Sequence, residues 1–91
     1  MDTIHLEIRG RVQGVGFRWF IVEKAEALSL AGWVRNRRDG CVEIAAGGPA
    51  EALRQLETAA RQGPRGAHVE EVRDLGTVTS DSLPRPFEIA R

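Results

Sequence analysis

Residues 3–29 read TIHLEIRGRVQGVGFRWFIVEKAEALS, and the spacing of their apolar positions changes once. Ile4, Leu6 and Ile8 alternate with His5, Glu7 and Arg9, so residues 3–11 read as a strand with one buried face. From Phe17 to Ser29 the period becomes helical, with Phe17, Phe20, Ile21, Ala25 and Leu28 on one side and Glu23, Lys24 and Glu26 largely elsewhere. Between the two lies QGVG, residues 13–16, too short to hold anything but a tight strand-to-helix turn. A strand feeding directly into an amphipathic helix is the first half of a β-α-β unit.

The second half follows at once. Gly32 closes the linker and Trp33-Val34-Arg35-Asn36 starts a second strand, after which Arg37-Arg38-Asp39-Gly40 reads as a turn. Asp-Gly marks a hairpin, because glycine accepts positive φ without steric cost. Val42, Ile44 and Ala46 alternate with Cys41, Glu43 and Ala45 in a third strand. Gly47-Gly48-Pro49 then opens a helix with Pro49 at its first position, Ala52, Leu53, Leu56 and Ala60 give that helix its apolar stripe, and Gly63-Pro64 ends it. Residues 67–78 read as a fourth strand in which Val69 and Val72 break the alternation, which predicts a bulge. Pro84 and Pro86 precede Phe87-Glu88-Ile89, a short strand suited to a sheet edge.

The order β-α-β-β-α-β with a terminal strand predicts an α+β fold, a ferredoxin-like sandwich with two helices on one face of an antiparallel sheet and a short fifth edge strand. At 91 residues the chain is expected to be one domain over 1–91. In a split β-α-β unit strands one and two are parallel, with strand three between them. Their C-terminal ends emerge together, so residues 13–18 and Asn36–Arg38 should face each other across roughly 10 Å, two strand spacings.

Composition narrows the function. Thirteen basic and thirteen acidic side chains cancel, which argues against a phosphate-tracking nucleic-acid binder. Residues 1–40 nevertheless carry a net +2 and residues 41–91 a net −2, with Arg9, Arg11, Arg18, Arg35, Arg37 and Arg38 all in the first part. Such a run is as readily a solvated face as a binding surface. One cysteine and two histidines make a transition-metal centre improbable, so no metal and no cofactor is expected. No apolar run approaches the ~18 residues of a membrane span and no signal-peptide layout is seen, so the expected location is the cytoplasm, with no membrane partner.

Gly14 and Gly16 would let successive backbone N–H groups converge on an anion, and the start of the helix behind them adds free donors and a favourable dipole. Arg18 supplies a planar fork matched to phosphate or carboxylate. A glycine pair alone has a plain structural reading, since a tight turn needs it, but a cation in the first helical turn opposes the dipole unless an anion is present. A dinucleotide fingerprint would need glycine where Trp19 stands, and no Gly-Lys-Ser/Thr of a P-loop occurs. Six residues after Cys41 stands Gly47 rather than the arginine of a cysteine phosphatase, so Cys41 reads as a small strand residue. Ser29, Ser80 and Ser82 have no local histidine. What is left is an arginine, a cradle and an amide, Asn36, with no nucleophile. Water must then attack, and Asn36 can position it but not deprotonate it. Only an activated phosphate with a good leaving group, such as a carboxylic–phosphoric anhydride, would react.

Gly10-Arg11-Val12-Gln13-Gly14-Val15-Gly16-Phe17-Arg18 and Gly32-Trp33-Val34-Arg35-Asn36-Arg37-Arg38-Asp39-Gly40 closely resemble the two signature segments of acylphosphatases. The resemblance spans nearly the whole chain. It implies hydrolysis of acyl phosphates to carboxylate and inorganic phosphate without a metal. It further implies Arg18 as the phosphate-binding arginine, Asn36 as the residue that orients water, and the backbone of Gln13, Gly14, Val15, Gly16, Phe17 and Arg18 as the cradle. Some members have threonine after the catalytic asparagine, where Arg37 stands here. The implied partner is a small acyl phosphate, with phosphate as product, and a monomer is expected. Two other readings share the fold: a nucleic-acid-binding module, which would carry stacking aromatics that these central strands lack, and an accessory acylphosphatase-like domain, such as hydrogenase-maturation carbamoyltransferases carry within a longer chain.

Overall fold

The alternation in the first strand positions the rest of the molecule. In a computed structural model, which describes Met1 to Arg91, strand β1 (Asp2–Arg11) runs into helix α1 (Phe17–Ala27), followed by strands β2 (Ala31–Asn36) and β3 (Val42–Gly48). Helix α2 (Ala50–Gln62), strand β4 (His68–Asp74), a short 3-10 turn at Ser80–Ser82 and strand β5 (Glu88–Ile89) complete the chain. The sheet order is β4-β1-β3-β2-β5, so β3 lies between β1 and β2 as a split β-α-β unit requires. Neighbours are antiparallel except β5, which adds to the edge of β2 in parallel, Trp33 opposite Glu88.

One face of the sheet takes both helices. Leu6 pairs with Ile44 and Ile8 with Val42 across β1 and β3. These side chains form a single core with Phe17, Ile21 and Ala25 of α1 and Leu53, Leu56 and Ala60 of α2. Fully burying each large side chain of that set stabilises the fold by about 1.5–3 kcal/mol. The other face carries Glu7 and Glu43, directly opposite each other and both buried.

Several boundaries differ from the sequence reading. β2 starts at Ala31 rather than Trp33, because β3 is long enough to pair Ala31 with Gly47 and Gly32 with Ala46, so Gly32 lies within the strand instead of closing the linker. Helix α1 stops at Ala27 rather than Ser29. Ser29 takes φ 58°, its N–H bonds Glu26 O, and the Leu30 N–H bonds Ala25 O. This is a left-handed helix stop with serine in the place where glycine usually signals it. Gly47 and Gly48 belong to β3, because β1 is long enough to pair them with Thr3 and Asp2, and Pro49 is therefore the cap of α2 rather than its first residue. β4 ends at Asp74, whose carboxylate accepts the Gly76 N–H at 2.8 Å and turns the chain. The regular part of β5 is Glu88–Ile89, while Phe87 goes into the core.

The bulge is present. Arg9 pairs with Glu71 but Gly10 pairs with Val69, so Glu70 is the extra residue. Gly10 permits it: at φ 131° a Cβ would lie 2.1 Å from the His68 carbonyl oxygen. The strand edge approaches the backbone too closely for any side chain there.

Candidate active site

The loop between β1 and α1 is built to expose backbone donors. Gly14 and Gly16 have φ 76° and 78°, in the left-handed region, and a Cβ at either would meet nothing within 4 Å. Glycine is thus needed there for the turn and leaves the loop's surface bare. Gly16 caps α1 without a side-chain hydrogen bond, the first turn holds no acidic residue, and the first helical bond is Phe20 N–H to Gly16 O at 3.0 Å. The amides of residues 14–19 therefore donate to no backbone carbonyl. Phe17 anchors the helix start in the core with its ring buried.

Arg18 and Asn36 meet at this loop. A cavity of about 80 Å³ is lined by Val12, Gly14, Gly16, Phe17, Arg18, Trp19 and Asn36. Its residues come from the ends of β1 and β2 and from the first turn of α1, the juxtaposition that the strand order predicts. Arg18 is exposed and pairs with no carboxylate. The Asn36 Oδ1 is buried and accepts no hydrogen bond, a costly state for a polar atom unless something else in the cavity satisfies it. A guanidinium, free amides and an unpaired amide oxygen around a small space can hold a tetrahedral anion and a water.

The expected residues are not all used alike. Gln13 turns its side chain away from the cavity, and its Nε2 donates to Arg37 O at 2.8 Å and Cys41 O at 2.9 Å. It ties the loop to the β2–β3 turn, a function that its position in a glycine-rich motif does not reveal. Val15 packs partly buried against the core. Trp19 lines the cavity as well, a position the sequence reading did not expect. In the sequence it is marked only by falling off the apolar stripe of α1, and in the fold it is 66% exposed.

The remaining arginines are mostly engaged elsewhere. Arg35 donates to Glu43 at 2.7 Å, Arg37 to Glu7 and Asp39 at 2.6 Å each, and Arg73 to Glu7 at 3.4 Å. Arg37 therefore gives Asn36 no support. Burial pushes the Glu43 carboxyl up, but hydrogen bonds from His5 and Arg35 outweigh it and hold the group below the usual range. The Asp39 carboxyl is also lowered, chiefly by the Cys41 N–H it accepts. Burial pushes the Cys41 thiol up, which suits an inert residue. Glu7, Asp39 and Cys41 are close enough to one another to share a cation, and the Arg37 guanidinium is the cation bonded to both carboxylates. A larger groove of about 480 Å³ runs between the helices past Lys24, Glu51 and Arg54. Its side chains include no unpaired buried donor or acceptor, so the small cavity is the chemical candidate.

The chain is similar to proteins of one family over nearly its whole length. The acylphosphatase family model matches residues 4–89. An acylphosphatase of Nitrobacter hamburgensis is 54% identical over 91 residues, covering 97% of this chain and 92% of the relative. One from Koribacter versatilis is 54% identical over 71 residues, covering 78% of this chain and 64% of the relative. The crystal structure of acylphosphatase from Bacillus subtilis superposes with a TM-score of 0.92 at 38% identity, covering 100% of both chains.

Proposed function

The chain belongs to the acylphosphatase family, and on that premise we propose how its residues carry out the hydrolysis of an acyl phosphate to a carboxylate and inorganic phosphate. Arg18 and the amides of residues 13–18 hold the phosphoryl oxygens, with the helix start adding its dipole. Asn36 holds a water through its unpaired Oδ1 and aims it at phosphorus. The water oxygen forms the new P–O bond while the bond to the acyl oxygen breaks, and the carboxylate leaves with the electron pair. A carboxylate needs no proton to depart. No carboxylate or imidazole lines the cavity, so the water's proton leaves on the product phosphate or to solvent.

The observation that carries this reading is the buried, unpartnered Asn36 Oδ1 in the same cavity as an unpaired Arg18. The catalytic power then comes from positioning and from charge stabilisation, and the reaction needs no metal. The same reading takes residues 1–91 as one domain acting as a monomer in the cytoplasm. All the residues that line the cavity belong to one copy of the chain. No helix is long and apolar enough to cross a membrane. Sedimentation at micromolar concentration tests the monomer.

Phosphate release from acetyl phosphate in the presence of a chelator, beside a phosphate monoester, tests the chemistry. Turnover of the anhydride alone is expected. Loss of activity on chelation would overturn the metal-free route. Arg18→Ala should lower kcat/KM by about 100-fold or more and weaken inhibition by phosphate, about 3 kcal/mol of transition-state stabilisation. An Arg18→Ala enzyme within tenfold of the wild type would exclude it as the clamp.

A further inference from the structure

β1 and β2 are not neighbours in the sheet, because β3 lies between them. The sheet brings their ends within reach of each other, but none of its hydrogen bonds runs from the loop after β1 to Asn36 at the end of β2. The phosphate cradle belongs to that loop and the water holder to that strand end. An in-line attack needs the two in a fixed relation, and something besides the sheet must supply it.

Gln13 makes the only hydrogen bonds between residues 12–16 and residues 36–41. Its Nε2 donates to Arg37 O at 2.8 Å and to Cys41 O at 2.9 Å, so both N–H groups of the amide are used. Neither carbonyl depends on it. The Arg37 N–H already donates to Cys41 O at 2.8 Å, and the Gly40 N–H to Arg37 O at 3.2 Å. The hairpin is thus closed by its own backbone, and Gln13 takes the second lone pair of each oxygen. Its bonds do not complete the turn. They hold the turn in one place against the loop. Both ends of this link touch working parts: Gly14, which lines the cavity, follows Gln13, and Asn36 precedes Arg37.

We propose that Gln13 is a positioning residue whose side-chain amide sets the place of Asn36 relative to the phosphate cradle. This rests on the reading of Asn36 as the holder of the attacking water. Without the amide, the loop keeps its left-handed glycines and the hairpin its backbone bonds. Phosphate still binds, but the water is held off line, and a misplacement of about 1 Å can cost about 100-fold in rate. An interaction felt in the transition state and not in the ground state belongs in kcat rather than KM.

Gln13→Met keeps the length of the side chain and removes both donors. With acetyl phosphate its kcat should fall about tenfold or more, while KM and competitive inhibition by phosphate stay within about threefold. The double variant with Asn36→Ala decides how the loss arises. If Gln13 acts through Asn36, Gln13→Met should lower kcat by no more than about twofold once Asn36 is alanine. A general weakening of the fold would act alike in both backgrounds, and all rates are read well below the melting transition of each variant. A Gln13→Met enzyme within about tenfold of the wild-type kcat, equal losses in the two backgrounds, or a loss lying mainly in phosphate inhibition overturns the proposal. Should Gln13→Met fail to fold, Gln13→Asn, whose shorter side chain sets the amide back from both carbonyls, reads the same cycle. An Asn36→Ala enzyme as active as the wild type would instead overturn the water-holding reading, so the two failures are distinguishable.

Discussion

Asn36→Ala should leave this protein about as stable as the wild type and almost inactive. No protein group bonds the buried Asn36 Oδ1, so truncation breaks no hydrogen bond at that atom and leaves no protein partner unpaired. It removes some packing, but Asn36 is only half-buried near the end of β2, where a polar side chain contributes little to the core. Asparagine and alanine are both poor strand formers, so propensity changes little. The change should stay within about 1 kcal/mol, which bounds the shift in melting temperature of a domain of this size at about 4–8 °C. Turnover falls. Without the amide, water is no longer held in line, and losing one such positioned group lowers kcat about 100- to 1,000-fold. The cradle and Arg18 are untouched, so competitive inhibition by phosphate should stay within about threefold. Asn36→Asp separates the two contributions: it keeps the shape, but its charge repels the phosphoryl group and phosphate inhibition should weaken. Thermal unfolding and initial rates on the same preparations decide the matter. An Asn36→Ala enzyme that folds and keeps kcat within tenfold of the wild type would refute the reasoning, because the amide oxygen would then be no tool of the reaction.

Acid should unfold the protein partly through Glu43. Its carboxyl is held below the usual range in the fold, so its contribution is complete above about pH 4.5 and is lost as pH falls through the depressed value. Glu43→Gln should therefore show a shallower decline between about pH 5 and pH 3 in urea titrations, and parallel curves would remove Glu43 as the cause. Gly10→Ala and Gly16→Ala separate crowding from backbone strain. At Gly16 the Cβ has room and only the left-handed φ is penalised, about 1–2 kcal/mol. At Gly10 it would strike the His68 carbonyl oxygen and the Glu70 nitrogen, costing about 3 kcal/mol or more. Equal urea midpoints for the two variants would contradict the close approach at the bulge.

The parts of this molecule legible in its sequence are those governed by period and by glycine. The alternation of Ile4, Leu6 and Ile8 and the shift of spacing after Phe17 gave the element order, and the order gave the meeting of the 13–18 loop with Asn36. The valines at 69 and 72 marked the bulge because a broken period of two can hardly be accommodated otherwise. What stayed hidden depends on pairing at a distance. Nothing local says that Ser29 will sit in the left-handed region, since serine there competes with the glycine that usually marks such a stop. Whether Gly47 and Gly48 extend a strand depends on the length of β1, forty residues away in the chain (roughly) and adjacent only in the sheet. The Gln13 side chain could not be assigned because its acceptors are backbone carbonyls of another turn.

The arginine-rich N-terminal part poses the question of how one small cavity is chosen among so many cations, and the open face of the sheet supplies the answer. Arg73, Glu7, Glu43 and Arg35 stand in register across β4, β1, β3 and β2. Two glutamates directly opposite each other repel, and both are buried, so the pair persists only with cations on either side. Arg35 pairs with Glu43, which also shares a hydrogen bond with His5, and Arg37 and Arg73 surround Glu7. An anion that approaches this face meets guanidinium groups already bonded to carboxylates, and it would have to displace them. At the loop before α1 it meets Arg18 without a carboxylate, together with amides that have no acceptor. The sheet face thus neutralises its own arginines, whereas Arg18 stands beside free amides without a carboxylate, and an overall charge of zero is compatible with a sharply local affinity for anions.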